Sequence, residues 1–268
     1  MRAALLDQWP GDASCVVLRL REGASEWVQE EGDLHVVRPW ASVTKMAVAL
    51  AVGVEIDWEH HRYEERVGSG PATLANLLSH SSGLGLEEGD PVRAEGERRV
   101  YSNVGVDRAV ASIVGDADPS LWLKSRVFEP LGMSSSELRG RPSAHAWGST
   151  EDLSRLALAW LCGDGVSTAT RDLAITPYLP DLSGVVPGFG RFSPCAWGLG
   201  PEIRGSKRHW MGEWPSASFG HFGQSGALLL ANVDEGIAVV ATSEVPFGPW
   251  AVELWPTWTS RAREIALA

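Results

Sequence analysis

Strand-like apolar runs at both ends of the chain enclose a helical middle, and this layout restricts the fold more than any single motif. Cys15–Leu20 is a β-rich run, followed by a Glu22-Gly23 turn and a second candidate strand around Trp27 and Val28. Near residue 197 the period returns to that of strands. Trp197–Ile203, Ala227–Asn232 and Ile237–Ser243 are candidates, the last two joined by an Asp234-Glu235-Gly236 turn, and Trp250–Ala268 reads as a closing helix. Such a chain builds one antiparallel sheet from both termini and inserts the middle as a second lobe. The expected fold is therefore α+β, a single domain over 1–268. Its sheet lobe takes about 1–40 and 190–268, its helical lobe about 41–189. A cleft between lobes is the natural place for a site.

The middle is punctuated by helix signals. Residues 42–54 carry apolar side chains on nearly every face with Lys45 as the only charge before Glu55, the pattern of a buried helix. Thr73 caps a short helix to Leu78, and Pro119 opens one reaching Phe128. Ser149-Thr150-Glu151-Asp152 starts another that Gly163 closes.

Composition removes several classes of function. With 44% hydrophobic residues over 268 positions, a packed core is affordable and disorder is not a serious option. A net charge of −11 argues against nucleic acid and anionic membrane surfaces, because phosphates repel an acidic protein. No run of 18 apolar residues predicts a membrane span. The first ten residues lack the apolar core of a signal peptide, so a cytoplasmic setting is expected; a removed leader reverses that to an exported one. Cys15, Cys162 and Cys195 are too few and too far apart for a disulfide framework or a zinc site, and His60 and His61 have no partner at ligand spacing. Neither metal nor cofactor is expected.

Three motifs carry chemistry: Ser42-Val43-Thr44-Lys45, Tyr101-Ser102-Asn103 and His221-Phe222-Gly223. Each is weak alone, but all three in this order arise by chance about once in a thousand chains of this composition. A serine hydroxyl needs a base within hydrogen-bond reach, and three residues advance a helix by almost one turn, so Lys45 shares a face with Ser42. Pro39-Trp40-Ala41 place Ser42 in the first turn, where the dipole and burial both disfavour a protonated lysine. Tyr101, projected from a turn beside a cation, is expected to ionise below its usual pKa and to serve as a second candidate base. Asn103 offers a donor and an acceptor for a substrate amide or ester. Glycines around His221 and Gly223 let a substrate approach the backbone, and the Gln224 N–H joins that of Ser42 as a candidate oxyanion donor.

Plainer readings stand beside these. Ser42 is a helix cap with Lys45 reaching solvent, Asn103 a cap beside a packed tyrosine, and His221 a structural strand residue. Trp210 and Trp214, just before His221, are either an aromatic pocket wall or core. Arg98 and Arg99 read as a solvated pair.

The motifs resemble those of the serine β-lactamase and penicillin-binding protein superfamily, in particular the class C and family VIII esterase branch. Leu77-Leu78-Ser79-His80-Ser81-Ser82-Gly83-Leu84, Glu129-Pro130-Leu131-Gly132-Met133 and Ser149-Thr150-Glu151-Asp152-Leu153 are similar to further segments of that branch, in its order. The resemblance implies a covalent acyl-enzyme on Ser42, with Lys45, Tyr101 and Asn103 in support. It leaves the base open between Lys45 and Tyr101. None of Asn76, Asn103 and Asn232 follows a Glu at four places, so the Glu-x-x-x-Asn deacylating pattern of class A is absent. His221 stands where many lactamases carry Lys, as in esterases and some peptidases. The chain is also short for the family, which implies trimmed loops.

An esterase-like serine hydrolase acting on a small ester or amide is thus the first expectation. A β-lactamase or D-alanyl-D-alanine carboxypeptidase of the same mechanism comes second. A non-catalytic binding or sensor protein on the same fold is the alternative of a different class.

Overall fold

The computed structural model describes residues 4–268. In chain order the first third holds strands β1 (Ala13–Arg21), β2 (Ala24–Glu31) and β3 (Arg38–Pro39), then helices α1 (Thr44–Asp57) and α2 (Leu74–Leu78). The middle holds α3 (Asn103–Val114), α4 (Pro119–Leu123), β4 (Glu137–Leu138), β5 (Ala146–Gly148), α5 (Thr150–Cys162) and α6 (Thr168–Ala174). The remainder is β6 (Gly184–Val186), β7 (Gly190–Phe192), β8 (Glu202–Ile203), β9 (Phe219–Phe222), β10 (Leu228–Asn232), β11 (Ile237–Ser243) and α7 (Pro249–Leu267).

As expected, the main sheet joins both ends of the chain. Its order is β2-β1-β11-β10-β9-β8, and its pairings are antiparallel throughout. Both faces are covered, so the central strands read as continuous apolar runs instead of alternating ones. The period of two then splits the core. Val16, Leu18, Leu229, Ala231, Ala238 and Val240 face the helices of the middle segment. Cys15, Val17, Leu228, Leu230, Val239 and Ala241 face α7 and a group of tryptophans.

Helix α5 packs on β1, β10 and β11. Residues 150–162, expected with the helical lobe, therefore cover the sheet, because the apolar face of α5 meets the strands. Ser149 caps α5 through the Asp152 N–H, and Gly163 ends it at φ +77°. Thr73 and Asn76 form a reciprocal capping box on α2. Of the candidate strand Trp197–Ile203 only β8 pairs in the sheet, since Gly200 at φ +117° turns the chain sharply before it. The helix expected from Pro119 to Phe128 is α4 followed by one π-helical turn, Lys124–Phe128.

Helix α1 is the axis of the molecule: all but its last two residues, Ile56 and Asp57, are buried. The one acidic group it buries, Glu55, accepts from Trp122 Nε1 (2.9 Å) and Arg126 Nε (2.7 Å). A helix enclosed on every side cannot shift without disturbing packed neighbours, so its first turn is held firmly. The Ala41–Val43 turn that carries Ser42 runs directly into it.

Candidate active site

A 3₁₀ turn, Ala41–Val43, leads into α1, and Ala41 sits at φ +46°. The left-handed region is unfavourable for an L-residue by roughly 1–2 kcal/mol, so surrounding contacts must hold this turn. One of them is Gly223. A Cβ there would lie 2.2 Å from the Trp40 carbonyl oxygen and 3.0 Å from Ala41 Cβ. Only glycine lets the end of β9 lie this close to the Ser42 turn.

The three motifs converge. Lys45 Nζ is 3.5 Å from Ser42 Oγ and donates to Asn103 Oδ1 (2.7 Å) and to the Ser143 carbonyl (2.8 Å). The same nitrogen lies 4.7 Å from the centre of the Tyr101 ring. Tyr101 Oη is 3.4 Å from His221 Nε2, while His221 Nδ1 lies 2.7 Å from the Phe222 carbonyl. A carbonyl only accepts, so Nδ1 carries the proton and Nε2 accepts from the phenol.

Electrostatics separate the two candidate bases. Burial pushes Lys45 down to about 7; Asp107 and Glu87 pull it up and Arg141 pulls it down. Burial pushes the Tyr101 phenol up, with the charges of Glu202 and Glu87 adding to the rise and a hydrogen bond with Ser42 opposing it. The expectation of a readily ionised Tyr101 is corrected: the cleft withholds the water a phenolate needs, and the neighbouring amine is itself driven toward neutrality. Burial and the nearby Lys45 hold His221 at about 3, so its imidazole is neutral.

Asn103 also differs from expectation. Its carbonyl accepts from Lys45, and its Nδ2 donates to Glu87 Oε1 (2.7 Å), so both ends are engaged within the protein. Gly223 N–H is taken by the Ala227 carbonyl (2.8 Å), whereas the Gln224 N–H has no backbone acceptor among the described residues. It stands beside the cavity that holds Ser42. Trp210 and Trp214 are not a pocket wall. Both are buried in the α7-side core, Trp210 bonded to Glu202 (2.8 Å) and packed edge-to-face behind Phe222 with ring centres 5.6 Å apart. The cavity, about 300 Å³, has Leu86, Val186, Pro187, Trp197 and Phe222 as its apolar walls.

Supporting roles emerge that the sequence motifs did not assign. His80 Nδ1 accepts from the Ser102 N–H (3.1 Å), and its ring packs between Tyr101 and Trp197. Ser102 caps α3 through Gly105 N–H and donates to the Gly85 carbonyl (2.6 Å). Arg99 is buried, not solvated: it bonds the carbonyls of Cys195 (2.7 Å), Tyr178 (2.7 Å), Leu179 (3.1 Å) and Ser79. Glu87 lines the cavity from the loop after the Leu77–Leu84 segment. That segment pointed to its neighbourhood, but no spacing rule marked the residue.

The family model described as Beta-lactamase matches residues 33–257. The chain belongs to the beta-lactamase family. Among solved structures, a β-lactamase (Mb2281c) from Mycobacterium bovis is similar over 98% of both chains, at 34% identity and a TM-score of 0.91. Simvastatin synthase from Aspergillus terreus (14% identity, TM-score 0.78, 97% of this chain and 92% of that) shares the fold. So does a penicillin-binding protein from Bacillus halodurans (14% identity, TM-score 0.74, 93% and 97%). No curated protein matches the sequence significantly. The chain thus has a beta-lactamase-family serine hydrolase fold, built from helices and an antiparallel sheet. Among the described residues no group of His, Cys, Asp and Glu is placed to hold a metal, and no helix is long and apolar enough to cross a membrane.

Proposed function

We propose that this beta-lactamase-family protein is an esterase that acylates Ser42 from small uncharged esters and passes the acyl group to water. One observation carries this reading: a near-neutral amine contacts the Ser42 hydroxyl inside a largely apolar cavity whose third motif offers a neutral imidazole and no cation. β-Lactams and D-alanyl-D-alanine peptides carry a carboxylate, which needs a positive partner once water is excluded. A neutral ester does not.

Lys45, uncharged above about pH 7, accepts the Ser42 proton as Oγ bonds to the ester carbon. The carbonyl electron pair moves to oxygen, where the N–H groups of Ser42 and Gln224 hold the anion. Collapse breaks the bond to the alkoxide, which takes the Tyr101 proton; the Lys45 ammonium returns one to the phenolate. Water then repeats the sequence in place of Ser42 and releases the acid. Tyr101 is suited to this donor role because the cleft keeps it protonated.

β-Lactam hydrolysis is the second reading, favoured by the M. bovis relative's name at 34% identity. Intact-mass measurement after a fluorophosphonate probe should show one adduct, on Ser42. A panel of p-nitrophenyl butyrate, a chromogenic cephalosporin and a D-alanyl-D-alanine peptide should then favour the butyrate. Absence of any adduct on folded protein overturns the enzyme reading in favour of a binding protein. Faster cephalosporin turnover replaces the first reading with the second.

A further inference from the structure

The Lys45 amine belongs to a closed ring of hydrogen bonds that leaves the active-site cleft and returns to it. From Lys45 Nζ the ring runs to Asn103 Oδ1 (2.7 Å). Asn103 Nδ2 then donates to Glu87 Oε1 (2.7 Å). Glu87 Oε2 accepts from Arg141 Nη1 (2.6 Å), and Arg141 Nε donates to Asp107 Oδ2 (2.7 Å). Asp107 Oδ1 accepts from the Ser143 N–H (2.9 Å), and the Ser143 carbonyl accepts from Lys45 Nζ (2.8 Å). Four separate stretches of chain contribute: α1, the Glu87 loop, the start of α3, and the Arg141–Ser143 loop before β5.

Proton counting gives the ring its meaning. A neutral amine has two N–H bonds and one lone pair. Asn103 Oδ1 and the Ser143 carbonyl take both N–H bonds, so the lone pair is left for the remaining neighbour, Ser42 Oγ at 3.5 Å. The direction of Asn103 is itself fixed by Glu87, which as a carboxylate only accepts and so demands the amide nitrogen. The position of the Ser143 carbonyl is fixed by the Asp107 contact to its own N–H. We propose that Glu87, Arg141 and Asp107 are positioning residues that aim the Lys45 lone pair at Ser42 and set its proton affinity through Asn103 and Ser143. This rests on the reading of Lys45 as the base.

The charges around Lys45 have opposed effects, which makes the role testable by sign. Glu87 and Asp107 favour the ammonium, and Arg141 disfavours it. The other titratable groups facing the amine are Tyr101, His80 and His221; burial keeps the phenol protonated and both imidazoles neutral. The Glu87 and Arg141 side chains are each more than two-fifths exposed and Asp107 about a quarter, so neutral variants leave the core intact.

The chain has three lysines, Lys45, Lys124 and Lys207, so a lysine-Nζ-labelled sample resolves Lys45 by NMR without reference to catalysis. Glu87→Gln and Asp107→Asn should lower the Lys45 titration midpoint, and Arg141→Gln should raise it, each by on the order of half a pH unit. The Glu87→Gln/Arg141→Gln double variant should return close to the parent, and Arg141→Lys, which keeps the charge, should restore the midpoint. The acid limb of kcat/KM for p-nitrophenyl butyrate should move with each midpoint. Midpoints that stay fixed, or that all move one way, overturn the proposal, since loss of packing has no reason to follow the sign of the removed charge. If the midpoints separate as stated while the limb stays fixed, the ring stands and the assignment of Lys45 as base fails.

Discussion

Substituting Gly223 by alanine tests the close approach on which the candidate oxyanion site depends. The added carbon would sit 2.2 Å from the Trp40 carbonyl oxygen, and neither backbone has a flexible end that can yield. Carbon and oxygen in ordinary contact need about 1 Å more, so β9 or the Ala41–Val43 turn must retreat by roughly that distance. Gln224 follows directly, and its N–H would move away from the oxygen that Ser42 attacks. Misplacing one donor by about 1 Å costs about 10²–10³-fold in kcat, with KM little changed because the loss falls on the transition state. The overpacking itself destabilises by about 1–3 kcal/mol. Steady-state hydrolysis of p-nitrophenyl butyrate read beside a thermal melt separates the two effects. A folded Gly223→Ala variant with kcat within threefold of the parent would refute the close-approach argument.

Three further perturbations probe other parts of the site. Tyr101→Phe should slow turnover by about 10²–10⁴-fold if the phenol carries the leaving-group proton; a loss below threefold in kcat removes it from that role. Lys45→Met should stabilise the fold at pH 6–7, by roughly 3–5 kcal/mol at most, because the folded state holds this amine near 7 against an ordinary 10.5. The unfolded chain binds the extra proton, so parent stability rises with pH between those values; chemical denaturation should show the advantage of the variant shrinking toward pH 10, and a pH-independent difference contradicts it. Arg99→Met should destabilise by about 3–5 kcal/mol, since it strands the carbonyls of Ser79, Tyr178, Leu179 and Cys195 in a buried place. A melt unchanged by that substitution would mean that water reaches those carbonyls.

The Ser42-x-x-Lys45 pair was legible because a 3₁₀ turn carrying Ser42 runs straight into α1, and a separation of three residues in such a segment brings both side chains to one side. Both end runs of the sheet were legible for a similar reason, as β1, β10 and β11 are apolar strands bounded by turn residues. Arg99 was misread because two adjacent arginines look solvated until distant carbonyls are known to surround one of them. Trp210 and Trp214 stayed open between pocket wall and core because nearness to His221 in sequence does not reveal which face of β9 a side chain meets. Alternate strand residues point to opposite faces, and these two tryptophans lie on the α7 side behind Phe222.

What the sequence settled alone was local: a serine and a lysine one turn apart, capped helices, and apolar strands at each end. What only tertiary structure decided was which groups lose their water and which charges meet. Glu87, Asp107 and Arg141 lie up to 54 residues apart, yet they enclose one amine, while burial reverses the expected behaviour of Tyr101. Proton affinity depends on the dielectric and the charges within a few ångströms, and those neighbours are supplied by the folding of remote segments onto one cleft.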